Sequence, residues 1–146
     1  MLTIRAATAG DAAALAHLLS QLGYATSAAA IPTRLDALVA EGGLAVVAVE
    51  AGGRIVGAAT GARHRTLHAE APTAYITALV TDESVRRQGI GRQLVAAIEQ
   101  WASDGGCVRL SVTSAERRSD AHLFYPSCGF PYSGRRFTKT LLDAAS

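Results

Sequence analysis

The chain has 146 residues, 49% of them hydrophobic and 18% charged, which is enough for one autonomous core and too apolar for a disordered chain. A net charge of +2 is too small to point to nucleic acid. No window approaches the ~18 apolar residues that span a bilayer, and Met1-Leu2-Thr3-Ile4-Arg5 lacks a charged leader segment. A single soluble cytoplasmic domain over residues 1–146 is expected, with no nucleic-acid and no membrane partner.

Leu2, Ile4 and Ala6 alternate with Thr3 and Arg5, which predicts a first strand. A helix then opens at Thr8 or Gly10-Asp11, buries Leu15, Leu18, Leu19 and Leu22 at three–four spacing, and stops at Gly23. After a loop over 24–30, Pro32 suits the first position of a second helix, which turns Leu35, Leu38 and Val39 inward and ends at Gly42-Gly43. Leu44–Glu50 and Ile55–Ala62 flank Ala51-Gly52-Gly53-Arg54, a hairpin signal. His64–Pro72 reads as a loop. Ala74–Thr81 is apolar on both faces, as a central strand is. A third helix over 91–102 has Leu94, Val95, Ile98, Trp101 and Ala102 as its core face and ends at Gly105-Gly106. Val108, Leu110 and Val112 alternate in the next strand; a short helix over 119–125 and a last strand over 136–142 complete the chain.

Strand, helix and strand over 74–113 form a βαβ unit, so those two strands are expected to be parallel, while the earlier hairpin is antiparallel. The fold class is mixed α/β: an antiparallel amino-terminal half joined to a parallel pair. Cys107 and Cys128 form neither a Cys-x-x-Cys pair nor a disulfide framework, and read as two reduced thiols. No metal site is expected. Lys139 is the single lysine among 14 basic residues, a bias compatible with anion recognition and equally with an arginine-rich composition.

The junction between the central strand and the third helix reads Arg86-Arg87-Gln88-Gly89-Ile90-Gly91. Glycine lets a backbone approach a ligand closely, and the unpaired N–H groups of a helix's first turn face an anion along the helix dipole. This is a phosphate site in outline. The spacing Arg-x-x-Gly-x-Gly also resembles the pyrophosphate loop of the GNAT family of N-acetyltransferases, which hold acetyl-coenzyme A there. Residues 121–130, Ala-His-Leu-Phe-Tyr-Pro-Ser-Cys-Gly-Phe, are similar to the Ala-x-x-Phe-Tyr-x-x-x-Gly-Phe signature of the same family. The two motifs lie within residues 74–130; the amino-terminal half agrees in element order.

The resemblance implies a GNAT-like fold with a splayed parallel strand pair, and acetyl-coenzyme A as co-substrate. It implies backbone donors from Arg87, Gln88, Gly89, Ile90 and Gly91 to the pyrophosphate, with Arg86, Gln88 and Arg92 beside them. It further implies a bulge near Leu79 that opens a V-shaped cleft, the Leu79 N–H polarising the thioester carbonyl, and Thr81 backbone pairing with the pantetheine arm. Tyr125 falls where the family tyrosine sits near the sulfur, and a phenol is a suitable acid for a leaving thiolate. Arg118 stands where many relatives have an asparagine, which leaves it as a coenzyme or substrate contact. Pro126 lacks an N–H and is expected to bend or stop the short helix. Tyr75 stands where some members carry a glutamate base, and a phenol with a pKa near ~10 is a poor base at neutral pH.

The base therefore stays open among Glu70, His64, His68, Glu83 and a water chain, with His122 more suited to packing within the signature. Arg117-Arg118 and Arg135-Arg136 read as solvated charge or as attraction for the coenzyme's 3′-phosphate. Tyr24 is a candidate acceptor contact. Implied is direct transfer of acetyl to a primary amine, a small molecule being favoured, with a homodimer through the last strands compatible with the pattern. The alternative is a non-catalytic acyl-coenzyme A sensor. A dinucleotide-binding domain is disfavoured, because Gly89-x-Gly91 is followed by Leu94 where a third glycine belongs.

Overall fold

The apolar runs pair into one five-stranded sheet in chain order, in a computed structural model that describes residues 1–86, 88–112, 124–131 and 137–142. The strands are β1 (Thr3–Ala6), β2 (Leu44–Val49), β3 (Ile55–His64), β4 (Thr73–Thr81) and β5 (Arg109–Val112). β1 to β4 are antiparallel neighbours, and β5 runs parallel to β4. The helices are α1 (Ala12–Leu22), α2 (Ile31–Ala40) and α3 (Ile90–Asp104).

Strand alternation divides the core into two layers. Val47, Ala58 and Val80 pack under Leu15 and Leu18 of α1 and Ile31 of α2. Val46, Ala48, Ala59 and Ile76 pack on Ile90, Leu94, Val95 and Ile98 of α3. Each fully buried side chain, such as Leu18, Leu94 or Ile98, contributes on the order of 1.5–3 kcal/mol. No helix among the described residues is long and apolar enough to cross a membrane.

Several local expectations are corrected. α2 begins at Ile31, so Pro32 is its second residue; Ile31, Leu35 and Leu38 turn inward at i, i+4, i+7, whereas Val39 is 56% exposed. One residue past Leu38 is a rotation of about 100°, off the buried stripe. Val108 precedes the β5 ladder, which starts at Arg109, and is exposed. The last strand does not form over 137–142: these residues are irregular, with Phe137, Leu141 and Leu142 exposed. A strand persists only where its amides find a ladder partner, and these residues join none of the described ladders. The short helix expected over 119–125 falls mostly outside the described residues; a helical turn occupies 124–127 and includes Pro126, so the proline does not end it at Tyr125.

Candidate active site

The site begins with a flaw in β4. Thr60 of β3 faces Ala78 while Gly61 faces Ile76, so Thr77 is an extra residue, a β-bulge. It lies two residues before Leu79, where the resemblance placed it. The Thr77 and Thr60 hydroxyls are 2.6 Å apart across the irregularity. Among the described residues, pairing of β4 with β5 runs as far as Ile76 opposite Val112, immediately before the bulge. Beyond it, residues 77–81 have β3 on one side and no ladder to the described part of β5 on the other.

The direction of each amide along this edge follows from one bond. Asp82 N–H donates to the Val56 carbonyl at 2.8 Å. In an antiparallel ladder, bonded and non-bonded pairs alternate. Val80, paired with Ala58, therefore turns its N–H toward β3, and Leu79 and Thr81 turn theirs away from β3. The Thr81 carbonyl accepts the Arg86 Nε–H at 3.5 Å from that side. Leu79 itself packs on the α3 layer.

Gly89 stands at the start of α3 with φ of +79°, a left-handed conformation that costs other residues energy, and a Cβ placed on it would meet nothing within 4 Å. At the start of the helix, Gln93 N–H donates to Gly89 O at 3.2 Å. By helix geometry the N–H groups of Ile90, Gly91 and Arg92 precede it and have no intrahelical acceptor. Ile90 is buried in the core and pins the helix start. Gly91 also has a packing role: a Cβ there would lie 3.2 Å from the Phe124 ring and 3.7 Å from Thr81 Oγ1. Its missing side chain admits Phe124, so β4, the loop and the 124–127 turn meet at this point. Arg92 is engaged as well, donating to Ser127 Oγ at 3.0 Å and to the Ser127 carbonyl at 3.3 Å.

The Gly-Phe end of the second motif is a helix stop. Gly129, at φ +92°, donates to Pro126 O at 3.1 Å, and Phe130 N–H donates to Tyr125 O at 3.0 Å. This bond pair closes a helix through a left-handed residue and sets a contact between the residue after it and the last turn. Here that contact is Phe130 against Tyr125, edge to face with centroids 6.0 Å apart; Phe124 meets the same ring at 5.2 Å. Tyr125 is half-buried between them.

Sequence reasoning missed the node beside the loop. Asp82, nearly fully buried, follows the last β4 residue. Its Oδ1 accepts from Ser84 N–H at 2.9 Å and Ser84 Oγ at 2.6 Å, and lies 3.3 Å from an Arg54 nitrogen. Its Oδ2 accepts from Gln21 Nε2 at 3.5 Å and lies 3.7 Å from His17 Nε2. Ser84 and its backbone, then Arg54 and Gln21, hold the carboxyl below the usual carboxylate range, against burial. The Asp-x-Ser pattern directly after a strand was the available signal, an aspartate capping a short turn.

Arg86, Gln88 and Gly89 are exposed along the loop. Arg87, Arg117, Arg118, His122, Arg135 and Arg136 lie outside the described residues. His64, His68, Glu70 and Glu83 are exposed, and His64 meets Tyr75 edge to face at 4.9 Å. Tyr24 is exposed at the end of α1. Cys107 and Cys128 are free, half-buried thiols. The structure thus brings together Leu79, Thr81, Arg86, Gln88–Arg92 and the 124–130 turn.

The family model described as "Acetyltransferase (GNAT) family" matches residues 13–130. An aminoglycoside N(6')-acetyltransferase type 1 of Stenotrophomonas maltophilia is 32% identical over 137 residues, 91% of this chain and 88% of the relative. The fold is shared with an acetyltransferase of Trypanosoma brucei, with TM-score 0.83, 24% identity, and coverage of 97% of this chain and 100% of that one. It is also shared with the aminoglycoside N-acetyltransferase AAC(6')-Iy in complex with CoA, with TM-score 0.84, 18% identity, and coverage of 97% and 96%. Sequence match, strand order and motif geometry agree: the chain belongs to the GNAT family of acetyltransferases, enzymes that use acetyl-coenzyme A.

Proposed function

We propose that the chain transfers acetyl from acetyl-coenzyme A directly to a primary amine of a small molecule. The observation that carries this is the β4 bulge at Thr77, after which the Leu79 N–H is turned away from β3 and meets no ladder among the described residues, beside a helix start whose first-turn N–H groups lack intrahelical partners. The space around Gly89 fits an approaching anion. The bound donor supplies an activated acetyl thioester.

In this reading the N–H groups of Arg87 to Gly91 hold the pyrophosphate, with Gln88 and Arg92 at the rim, Arg86 adding positive charge and Arg118 a further contact. Thr81 pairs through its backbone with the pantetheine arm. The Leu79 N–H donates to the thioester oxygen, where negative charge grows as the amine attacks; a fixed dipole aimed there lowers the barrier. Tyr125 gives its phenol proton to the departing sulfur. No covalent acyl-enzyme is invoked, since neither cysteine has a histidine partner in a recognisable sequence motif.

The similarity to an aminoglycoside acetyltransferase supports a polyfunctional small amine as acceptor. The test is mass-spectrometric detection of an acetylated product from a panel of aminoglycosides and simple primary amines, with acetyl-coenzyme A as donor. A mass increase of one acetyl group on any of them supports the reading. Binding of acetyl-coenzyme A with no product across the panel would favour the sensor role.

A further inference from the structure

We propose that Asp82 is a positioning residue that sets the distance between the two ends of the donor site; the inference rests on the donor-site reading above. The donor is held at the Leu79–Thr81 edge and again at the start of α3. Residues 82–88 are all that joins these two places in the chain. A seven-residue loop samples many end-to-end separations unless both ends are fixed. Ile90, buried in the α3 layer, fixes one end. Asp82 fixes the other.

It does so through three separate elements. Its own N–H is tied to Val56 of β3. Its carboxylate caps the turn of Glu83–Val85 through Ser84, draws in Arg54 from the turn between β2 and β3, and takes Gln21 from α1. Gln21 also accepts the Glu83 N–H at 2.9 Å through Oε1, and Arg54 donates to Ser84 Oγ at 2.8 Å. The bonds close on one another, so removing the carboxylate takes a shared partner from Ser84, Arg54 and Gln21 at once. A buried carboxylate is retained only where such partners offset its desolvation. These partners come from α1, a hairpin turn and the loop, and all lie beside the strand end that faces the donor.

The experiment is calorimetric titration of coenzyme A into the wild type, Asp82→Asn, Asp82→Ala and Asp11→Asn. Asp11 is the second buried acid, in the turn before α1, and serves as the control for general destabilisation. Expected is a dissociation constant raised about tenfold in Asp82→Ala. A smaller rise is expected in Asp82→Asn, which keeps an oxygen for Ser84, and less than a twofold change in Asp11→Asn. Should Asp82→Ala not fold, Ser84→Ala takes its place, with about a threefold weakening expected. Equal weakening in Asp82→Ala and Asp11→Asn, or coenzyme A binding in Asp82→Ala within twofold of wild type, overturns the inference alone. A wild type that does not bind coenzyme A overturns the donor-site reading with it.

Discussion

Phe130 N–H donates to the Tyr125 carbonyl across Gly129, and the same two residues meet ring to ring. The terminal Gly-Phe of the motif is thereby a device that orients the tyrosine. Replacing Gly129 with Ala places a Cβ on a left-handed residue and should destabilise the protein by about 1 kcal/mol. Urea denaturation measures this. An unchanged midpoint would mean that Gly129 does not hold the turn.

Tyr125→Phe keeps the ring and both aromatic contacts and removes only the hydroxyl. If the phenol protonates the leaving thiolate, kcat should fall about 10²-fold with little change in KM for acetyl-coenzyme A. Steady-state kinetics on an acceptor found in the amine panel decides it. A twofold fall would remove the residue from the chemistry.

Leu79→Pro and Val80→Pro should differ sharply. Proline at 79 deletes an N–H that faces away from β3, whereas proline at 80 deletes one that bonds β3. The first is expected to fold, bind coenzyme A, and lose about 10²–10³ in kcat. The second should be destabilised by about 3 kcal/mol or more. Comparable thermal midpoints for the two would refute the assigned amide directions.

The two glycines of the loop should fail in different ways. Gly89→Ala meets no neighbour but strains a left-handed residue, so the loop shifts and coenzyme A binding weakens. Gly91→Ala presses on the Phe124 ring at 3.2 Å and should displace the 124–127 turn. Tyr125-dependent turnover then drops more than donor affinity. Measuring both constants in both variants separates the roles.

Asp11 predicts an acid limb of stability. Both terminal nitrogens of the Arg5 guanidinium, Nη1 and Nη2, donate to its carboxylate, at 2.8 and 2.9 Å, and Thr8 N–H adds a third bond at 2.8 Å. Arg5 first, then Thr8, hold its pKa at about 2 against burial. A lowered native pKa means that the contribution is complete above the ordinary value of 3.8 and is lost as pH falls through about 2. Asp11→Asn should be less stable near pH 6 by about 1–3 kcal/mol and show a shallower decline toward pH 2, read from urea midpoints.

Much of the fold was legible because period and punctuation coincide: Leu15 and Leu18 at helical spacing before Gly23, and two apolar runs around Gly52-Gly53. The loop and the Phe-Tyr motif marked the site for the same reason, local chemistry at fixed spacing. Three features were beyond reach. Thr77 as the extra residue depends on pairing between strands, which a single strand's sequence does not encode. The Asp82 node assembles residues far apart in the chain, such as Gln21 and Asp82, 61 positions apart. Val39 went astray because one turn of α2 offers two adjacent apolar stripes, and only the sheet beneath decides between them.

The bulge makes a counting argument about β4. The pairs Gly61 with Ile76 and Thr60 with Ala78 would be consecutive rungs if Thr77 were absent, so deleting that residue leaves every other pair in register. Ile76 and Leu79, three apart yet both against the α3 layer, would then fall on one face by ordinary alternation. A chain shortened by this residue should therefore be the more regular sheet along β3 and β4, and the more stable one. It should also be inert. One surplus residue, Thr77, stands between the rungs that pair with β5 and the strand end that the donor would use.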